Sequence, residues 1–502
     1  MIESVSSDII VLEGGDMESF VNISSELVIG IVQPVGTNSS DIIQCIKDSL
    51  EKYGYKTYIV KVSKDVLSAF DNDPNADISE FERINKYMDL GNNVRKQSGD
   101  AGILMAGVAS CILEKYRKSE KNPLKQTAFI VDSIKHPGEV DYLRQLYGDG
   151  FHLIGISDSY ENREKNLINR KVISEEDAKK LLNRDNNEAE ENGQHTRDAF
   201  QQADYFIDAS ENREKYEADV SRLLDLIFGN PFLTPTFEEY AMFRAYVSSL
   251  KSADLSRQIG SVVTKNKDIL AEGANDCPKA FGGPYWSEYK DGQFRDEDGG
   301  RDYMLGYDSN KIEQENIIKS IINSLGIEDN QENFIKIKKS DIKNLTEYGR
   351  VVHSEMEALL MCARNGIQTR NCDMYVTTFP CHNCAKHIID AGIKKVIYIE
   401  PYPKSKTFDF YKNEISEKES ENKVLFKSFA GVGPHKFADL FSMNSTKWYS
   451  RKRKDGSGHK INWARRNAKL RTPMALMTYL EAERNAYAYY SEKCKEYTDE
   501  KK

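Results

Sequence analysis

The sequence predicts an α/β protein of two domains, the first built on a parallel sheet. Three observations lead there. The chain has 502 residues, too many for one ordinary hydrophobic core. From Glu26 to Phe228, short apolar runs alternate with amphipathic, helix-length segments, which is the pattern of βαβ units. The breaker-rich stretch Gly229-Asn230-Pro231-Phe232-Leu233-Thr234-Pro235 then interrupts the alternation and marks a boundary.

Residues 1–24 read as a polar N-terminal segment, and the first domain is expected over 25–230. Its strands are expected at Leu27–Gln33, Lys56–Val62, Thr127–Asp132, Phe151–Ser157 and Asp204–Asp208, each rich in β-branched or aromatic residues. Helices over Asp41–Lys52, Glu139–Leu146 and Glu175–Leu182 fit between them. Asn183–Gln194 is polar and acidic and reads as a solvated loop or lid. The second domain, expected over 231–475, opens with a helix in which Thr236 and Glu239 have capping-box spacing. Ile259–Thr264 and Ile269–Glu272 form a hairpin around Lys265-Asn266-Lys267-Asp268, and a Gly- and charge-rich insertion runs from about 278 to 347. Within it Ser309–Leu325 is helical. A helix opening at His353, a strand Met374–Thr378, a helix Cys381–Ala391 and a strand Val396–Glu400 follow. Residues 476–502 are expected as a C-terminal helix, with Leu476, Tyr479, Leu480 and Tyr487 on one face.

Composition excludes several function classes. The net charge of −9 argues against non-specific coating of nucleic acid. Met1–Gly15 lacks a basic n-region, and the longest apolar run, Ala101–Leu113, is too short to cross a bilayer. A cytoplasmic protein without a membrane partner is expected. Eight cysteines in this length make no disulfide framework. Cys45, Cys111, Cys277, Cys362, Cys372 and Cys494 read as small core residues, whereas Cys381 and Cys384 stand apart.

Two fragments carry chemistry: His353-Ser354-Glu355, opening a helix, and Pro380-Cys381-His382-Asn383-Cys384, between a strand and a helix. Together they make the H-x-E…P-C-x-x-C signature of zinc deaminases. Cysteines three apart at a helix start face one metal, and the N–H groups there favour thiolate. His353 completes three ligands and leaves a fourth position for water, whose pKa zinc lowers to about 7. Glu355, two residues after the His ligand, is expected to collect the water proton, protonate ring N3 and deliver a proton to leaving ammonia. A redox pair or half of a structural zinc knuckle is the competing reading, with Cys372 as the nearest spare thiol and His382 poorly spaced to ligate.

The stretches Tyr348-Gly349-Arg350-Val351-Val352-His353-Ser354-Glu355-Met356, Thr377-Thr378-Phe379-Pro380-Cys381 and Glu400-Pro401-Tyr402-Pro403-Lys404-Ser405 resemble deoxycytidylate deaminases, with Ser354 in place of the usual Ala. The resemblance implies a cytidine-deaminase-like α/β/α fold for the second domain. It also implies a sugar-binding role for Asn275, with a turn before Pro278 as the alternative. Lys404 and Lys406 are candidates for the substrate phosphate, with surface lysine as the alternative.

In the first domain, Gly30-Ile31-Val32-Gln33-Pro34-Val35-Gly36-Thr37-Asn38 follows a strand and precedes a helix, the location of a phosphate-binding loop. Gly30, Gly36, Thr37 and the strand-terminal Asp132 are therefore candidate nucleotide contacts. The loop is one residue longer than a Walker A motif and lacks its lysine, so nucleotide binding fits better than phosphoryl transfer. Two readings compete for this domain, a P-loop nucleotide-kinase-like scaffold that has lost activity and a regulatory or substrate-sensing nucleotide site. A degenerate phosphate loop joined to Ser252–Gly260, with Asp132-Ser133-Ile134-Lys135-His136-Pro137 and Tyr147-Gly148-Asp149-Gly150-Phe151, resembles the bacterial anti-phage dCTP/dCMP deaminases. This resemblance runs from about Leu27 to Tyr489. It implies conversion of dCTP and dCMP to deoxyuridine nucleotides with loss of dCTP to an infecting phage. It further implies a homo-oligomer, and in some members control by a small RNA; a nucleotide effector at the first domain is a separate expectation.

Lys447–Arg471 holds ten Lys or Arg residues and one acid, with Trp448, Tyr449 and Trp463 interleaved. A solvated loop, a triphosphate clamp and an RNA contact all fit it. Two further functions compete with the leading one: a deaminase editing bases within nucleic acid, and a nucleotide- or RNA-sensing protein whose deaminase half is inert.

Overall fold

The computed structural model describes residues 26–71, 73, 77–118, 123–187, 195–400, 405–443, 452–472, 474 and 478–499, with side chains for all of these but 186, 187, 344, 400, 478, 498 and 499. The expected N-terminal segment 1–24 lies outside the described residues. The chain divides into two compact units, one of residues up to Thr234 together with His435 onward, the other Pro235–Pro434.

The first unit is built on strands β1 (Glu26–Val32), β2 (Lys56–Lys61), β3 (Thr127–Ile134), β4 (Phe151–Ser157) and β5 (Tyr205–Asp208). They hydrogen-bond in the order β5-β4-β1-β3-β2, and each pairing is parallel. Every residue of β1 and β4 is buried, which explains why they read as unbroken apolar runs rather than alternating ones. Helices α1 (Ser40–Glu51), α2 (Glu80–Ser98), α3 (Ile103–Cys111), α4 (Pro137–Tyr147), α5 (Tyr160–Asn169), α6 (Glu175–Asn187) and α7 (Arg213–Ile227) connect or flank the strands. The apolar stretch at Ala101–Leu113 is the core helix α3, buried over eight of its nine residues. Helix α6 runs five residues past the expected Leu182, because tertiary partners hold its polar end. Arg184 bonds Asn85 and Asp89, and Asp185 accepts from the Val35 N–H. The rest of the expected loop, 188–194, lies outside the described residues.

The second unit opens with α8 (Phe237–Ser249), started by the expected capping box of Thr236 and Glu239. Glu239 also accepts from the Val432 N–H. Strands β6 (Gly260–Lys265) and β7 (Asp268–Ala274) form the expected hairpin, turned by Asn266 and Lys267 at φ 53° and 65°. The small exposed hairpin β8 (Glu288–Lys290) and β9 (Gln293–Arg295) belongs to the insertion, as do helices Ser309–Leu325 and Gln331–Lys338. Then come α9 (Ser354–Arg364), β10 (Asp373–Thr378), α10 (His382–Asp390), β11 (Lys395–Glu400), β12 (Ile415–Ser416) and β13 (Val424–Ser428). The sheet order is β12-β13-β11-β10-β6-β7, antiparallel around β6 and parallel from β10 to β12. Two glycines let helices close on it. A methyl on Gly260 would stand 1.9 Å from the Ala245 carbonyl oxygen of α8, and one on Gly273 would stand 2.1 Å from the Ser354 carbonyl oxygen of α9.

The second domain ends forty-one residues earlier than the expected 475, at Pro434. Segment 435–475 belongs to the first unit because its polar groups bond there. The Arg471 N–H reaches the Ile227 carbonyl, the Thr472 hydroxyl the Asp149 carbonyl, and the Arg465 guanidinium the Asp225 carboxylate. The C-terminal helix, Thr478–Asp499, brings Glu483 to the buried Arg117, which also pairs with Glu26 of β1. Among the described residues no helix is long and apolar enough to cross a membrane.

Candidate active site

His353 and Cys381 are each the residue that caps a helix start, His353 for α9 and Cys381 for α10. Both have extended backbones, at φ −65°, ψ 151° and φ −68°, ψ 164°. Cys384 lies in the first turn of α10. Two helix N-termini thus converge, and their unpaired N–H groups favour negative charge between them. The Nδ1 of His353 lies 3.4 Å from the Cys381 sulfur and 3.3 Å from the Cys384 sulfur. A tetrahedral zinc with bonds of about 2.3 Å to sulfur and about 2.1 Å to nitrogen places such atoms roughly 3.6 Å apart. The donor set and its spacing fit zinc, and zinc is the cofactor of this site. Among the described residues, no further His, Cys, Asp or Glu joins this group. Cys372 turns away into the core and donates to the Gln368 carbonyl, and His382 packs edge-on against Phe410.

The thiol of Cys381 is held at about 4, by hydrogen bonds from Cys384 and His353 that stabilise its thiolate. Cys384, buried and donating to Cys381, is pushed well above the usual thiol range. Bonding to Cys381 raises His353 to about 9.

Glu355 is buried in the first turn of α9, and burial lifts its carboxyl above the usual range. The Ser354 hydroxyl donates to its Oε2 at 3.1 Å. Ser354 is itself anchored, because the Ser261 hydroxyl of β6 donates to its carbonyl at 2.6 Å. Sequence reasoning noted Ser354 only as a departure from Ala; its hydroxyl contact is a tertiary fact.

Asn275 sits just past β7 and spends part of its amide on the chain. Its Oδ1 accepts from the Ile259 N–H at 2.7 Å, and its Nδ2 donates to the Arg257 carbonyl at 2.8 Å. One Nδ2 hydrogen and one Oδ1 lone pair remain for another partner. Lys404 lies outside the described residues. Lys406 is exposed, in a segment fastened beside the ligands: the hydroxyls of Ser405 and Thr407 both donate to the Pro380 carbonyl, each at 3.1 Å. Sequence reading missed that fastening, although two hydroxyl residues flanking Lys406 were its signal.

In the first unit, Gly30 lies inside β1, where a methyl would stand 2.5 Å from Ile134, so it serves packing rather than the loop. Gly36 has φ +85° and the Arg163 backbone lies against it, which restricts the position to glycine. The Thr37 hydroxyl and Asp132 Oδ1 are buried without a hydrogen-bond partner among the described residues, and burial lifts the Asp132 carboxyl. Of the basic segment Lys447–Arg471, residues 447–451 lie outside the described residues. Several later cations have structural partners. Arg453 donates to the Pro231 carbonyl, Lys460 lies over Phe232, and Arg471 donates to the Leu440 carbonyl.

Comparison with known proteins adds the following. The family profile of the cytidine and deoxycytidylate deaminase zinc-binding region matches residues 235–400, and so leaves the first unit outside the match. Over 167 residues the chain is 32% identical to the deoxycytidylate deaminase of Enterobacteria phage T4, spanning 32% of this chain and 77% of that one. It is 39% identical over 97 residues to the deoxycytidylate deaminase of Mus musculus, spanning 19% and 47%. The dCMP deaminase of cyanophage S-TIM5, solved in complex with dCMP and dUMP, is 21% identical over 39% of this chain and all of that one, with a TM-score of 0.23.

Proposed function

The chain belongs to the deoxycytidylate deaminase family, and from that premise we propose that it deaminates free deoxycytidine nucleotides, dCMP and dCTP, to deoxyuridine nucleotides. The observation that carries this reading is the convergence of His353, Cys381 and Cys384 beside the buried Glu355. Zinc held by those three side chains supplies Lewis-acid activation of a water molecule. The rest falls to the chain. Glu355 accepts the proton the water gives up, and its raised pKa suits it to pass that proton to ring N3 of cytosine. The water oxygen bonds to C4; Glu355 then takes the remaining proton of that added hydroxyl and delivers it to the amino nitrogen, so that the C4–N bond breaks, ammonia leaves and the C4 carbonyl forms. The Ser354 hydroxyl holds the carboxylate in place for both transfers. Asn275 offers its remaining donor and acceptor to the sugar, and Lys406 meets the phosphate charge, with Lys404 as a second candidate. Depletion of dCTP during phage infection is the biological role this activity would serve.

Zinc-loaded protein incubated with dCMP, dCTP and a cytosine-bearing single-stranded oligonucleotide, followed by chromatography, tests the reading. Deoxyuridine nucleotides are expected from the free substrates. Glu355→Gln is expected to lower the rate by roughly two to four orders of magnitude while keeping zinc. Uracil formed only in the oligonucleotide would overturn the substrate assignment in favour of nucleic-acid editing.

A further inference from the structure

The first unit holds a cavity of about 710 Å³, within the size range of small-molecule sites. It opens where residues 33–40, 61–64 and 132–135 leave the carboxyl ends of β1, β2 and β3. Neighbours β1 and β3 send their following connections to opposite edges of the sheet, since β1 leads to β2 and β3 leads to β4. Crevices at such a reversal are where open α/β sheets take ligands.

The lining has two characters. Leu67, Ile84, Met88 and Leu104 make an apolar part, with Tyr87 beside them. Elsewhere seven cationic side chains meet three carboxylates, a cationic surplus in a chain whose net charge is −9. Lys61 and Lys64 are exposed there, and half-buried Lys135 donates to the Gln33 carbonyl at 2.6 Å. Asp132 and Thr37, both lining this cavity, each have a buried oxygen without a hydrogen-bond partner among the described residues. An apolar part, a cationic part and unsatisfied acceptors together suit a molecule with an aromatic base, hydroxyls and phosphates.

The loop after β1 is already engaged by an anion of the chain's own. Asp185 of α6, buried, accepts from the Val35 N–H at 2.8 Å and pairs with Arg163 at 3.2 Å, with Lys135 3.9 Å away. An N–H and two cations around one carboxylate are the groups a phosphate would use. We propose that this cavity binds a nucleoside polyphosphate through its cationic wall, with Asp185 standing in for phosphate at the loop. The missing Walker lysine then fits a site that binds and does not transfer phosphoryl groups.

Calorimetry on the zinc-loaded full chain, titrated with ATP and in parallel with inorganic tripolyphosphate, tests this. ATP is chosen because its adenine is not a cytosine. Saturable ATP binding is expected, tighter than that of tripolyphosphate. Lys61→Glu with Lys64→Glu is expected to weaken ATP roughly ten- to hundredfold with an unchanged melting curve. Asp185→Asn is expected to tighten it, by vacating the loop of negative charge. Absence of ATP binding up to about 1 mM overturns the proposal. So does affinity indifferent to the lysine substitutions, or tripolyphosphate bound as tightly as ATP. Loss of ATP binding in Glu355→Gln would place ATP in the deaminase site and overturn it as well. Deamination of dCMP is scored on the same samples, so the two readings fail separately.

Discussion

Burial acts with opposite sign on acids and bases, and the two buried groups Glu355 and His152 show both. It raises the Glu355 carboxyl, to which the proposed proton transfers are assigned, and it lowers His152 of β4 to about 3, with nearby Lys436 adding to the effect. His152 is therefore neutral in the folded chain while the unfolded chain takes up a proton below about pH 6.5. Its contribution to stability is complete above that pH and is lost as pH falls towards 3. At pH 5 the loss relative to pH 7.5 is expected to be roughly 2 kcal/mol from this residue. Denaturant titrations at the two pH values, compared with His152→Leu, measure it; an equal loss in the variant would exclude His152 as the source. The grouping of His353, Cys381 and Cys384 was legible in the sequence because each fragment spans no more than four residues and one helix turn fixes its geometry. The bonds of Asn275 to residues 257 and 259 were not, since they depend on where β7 returns beside the start of β6.

At the scale of elements, the site depends on how closely α9 lies on β7. Gly273 permits that approach, and α9 carries Glu355 with His353 at its head. Gly273→Ala would bring a methyl within 2.1 Å of the Ser354 carbonyl oxygen and 2.5 Å of the Ala358 nitrogen. Backbone atoms cannot rotate aside, so the helix must shift, at a cost of about 1–3 kcal/mol. The expected result is weaker zinc retention on dialysis against a mild chelator and a matching fall in deamination; zinc retained as in the parent would dismiss this role. Strands and helices with clear periodicity were readable, including the hairpin and the capping box. The two short strands β12 and β13 were not, because two and five residues leave too little pattern to see.

For the whole molecule, both boundaries carry chain breakers, Gly229-Asn230-Pro231 with Pro235 at the first and Gly431-Val432-Gly433-Pro434 at the return to the first unit, but breakers alone do not say which unit the chain after 435 joins. Contacts decide it, above all the buried Arg117 between Glu26 and Glu483, with the hydroxyls of Tyr479 and Tyr147 on the two carboxylates. Removing the guanidinium leaves two carboxylates buried and uncompensated. Arg117→Met is expected to destabilise the first unit by about 3–5 kcal/mol, read as a lower denaturant midpoint for that transition, while zinc stays bound in the second.

The same arrangement imposes an order on biosynthesis. A ribosome completes Pro235–Pro434 before it has made Glu483 or Tyr479, the partners that close around Arg117 and Glu26. The first strand among the described residues, β1, thus waits longest for its last neighbours. A nascent chain emerges with its zinc-binding half entire and its opening sheet still lacking one wall.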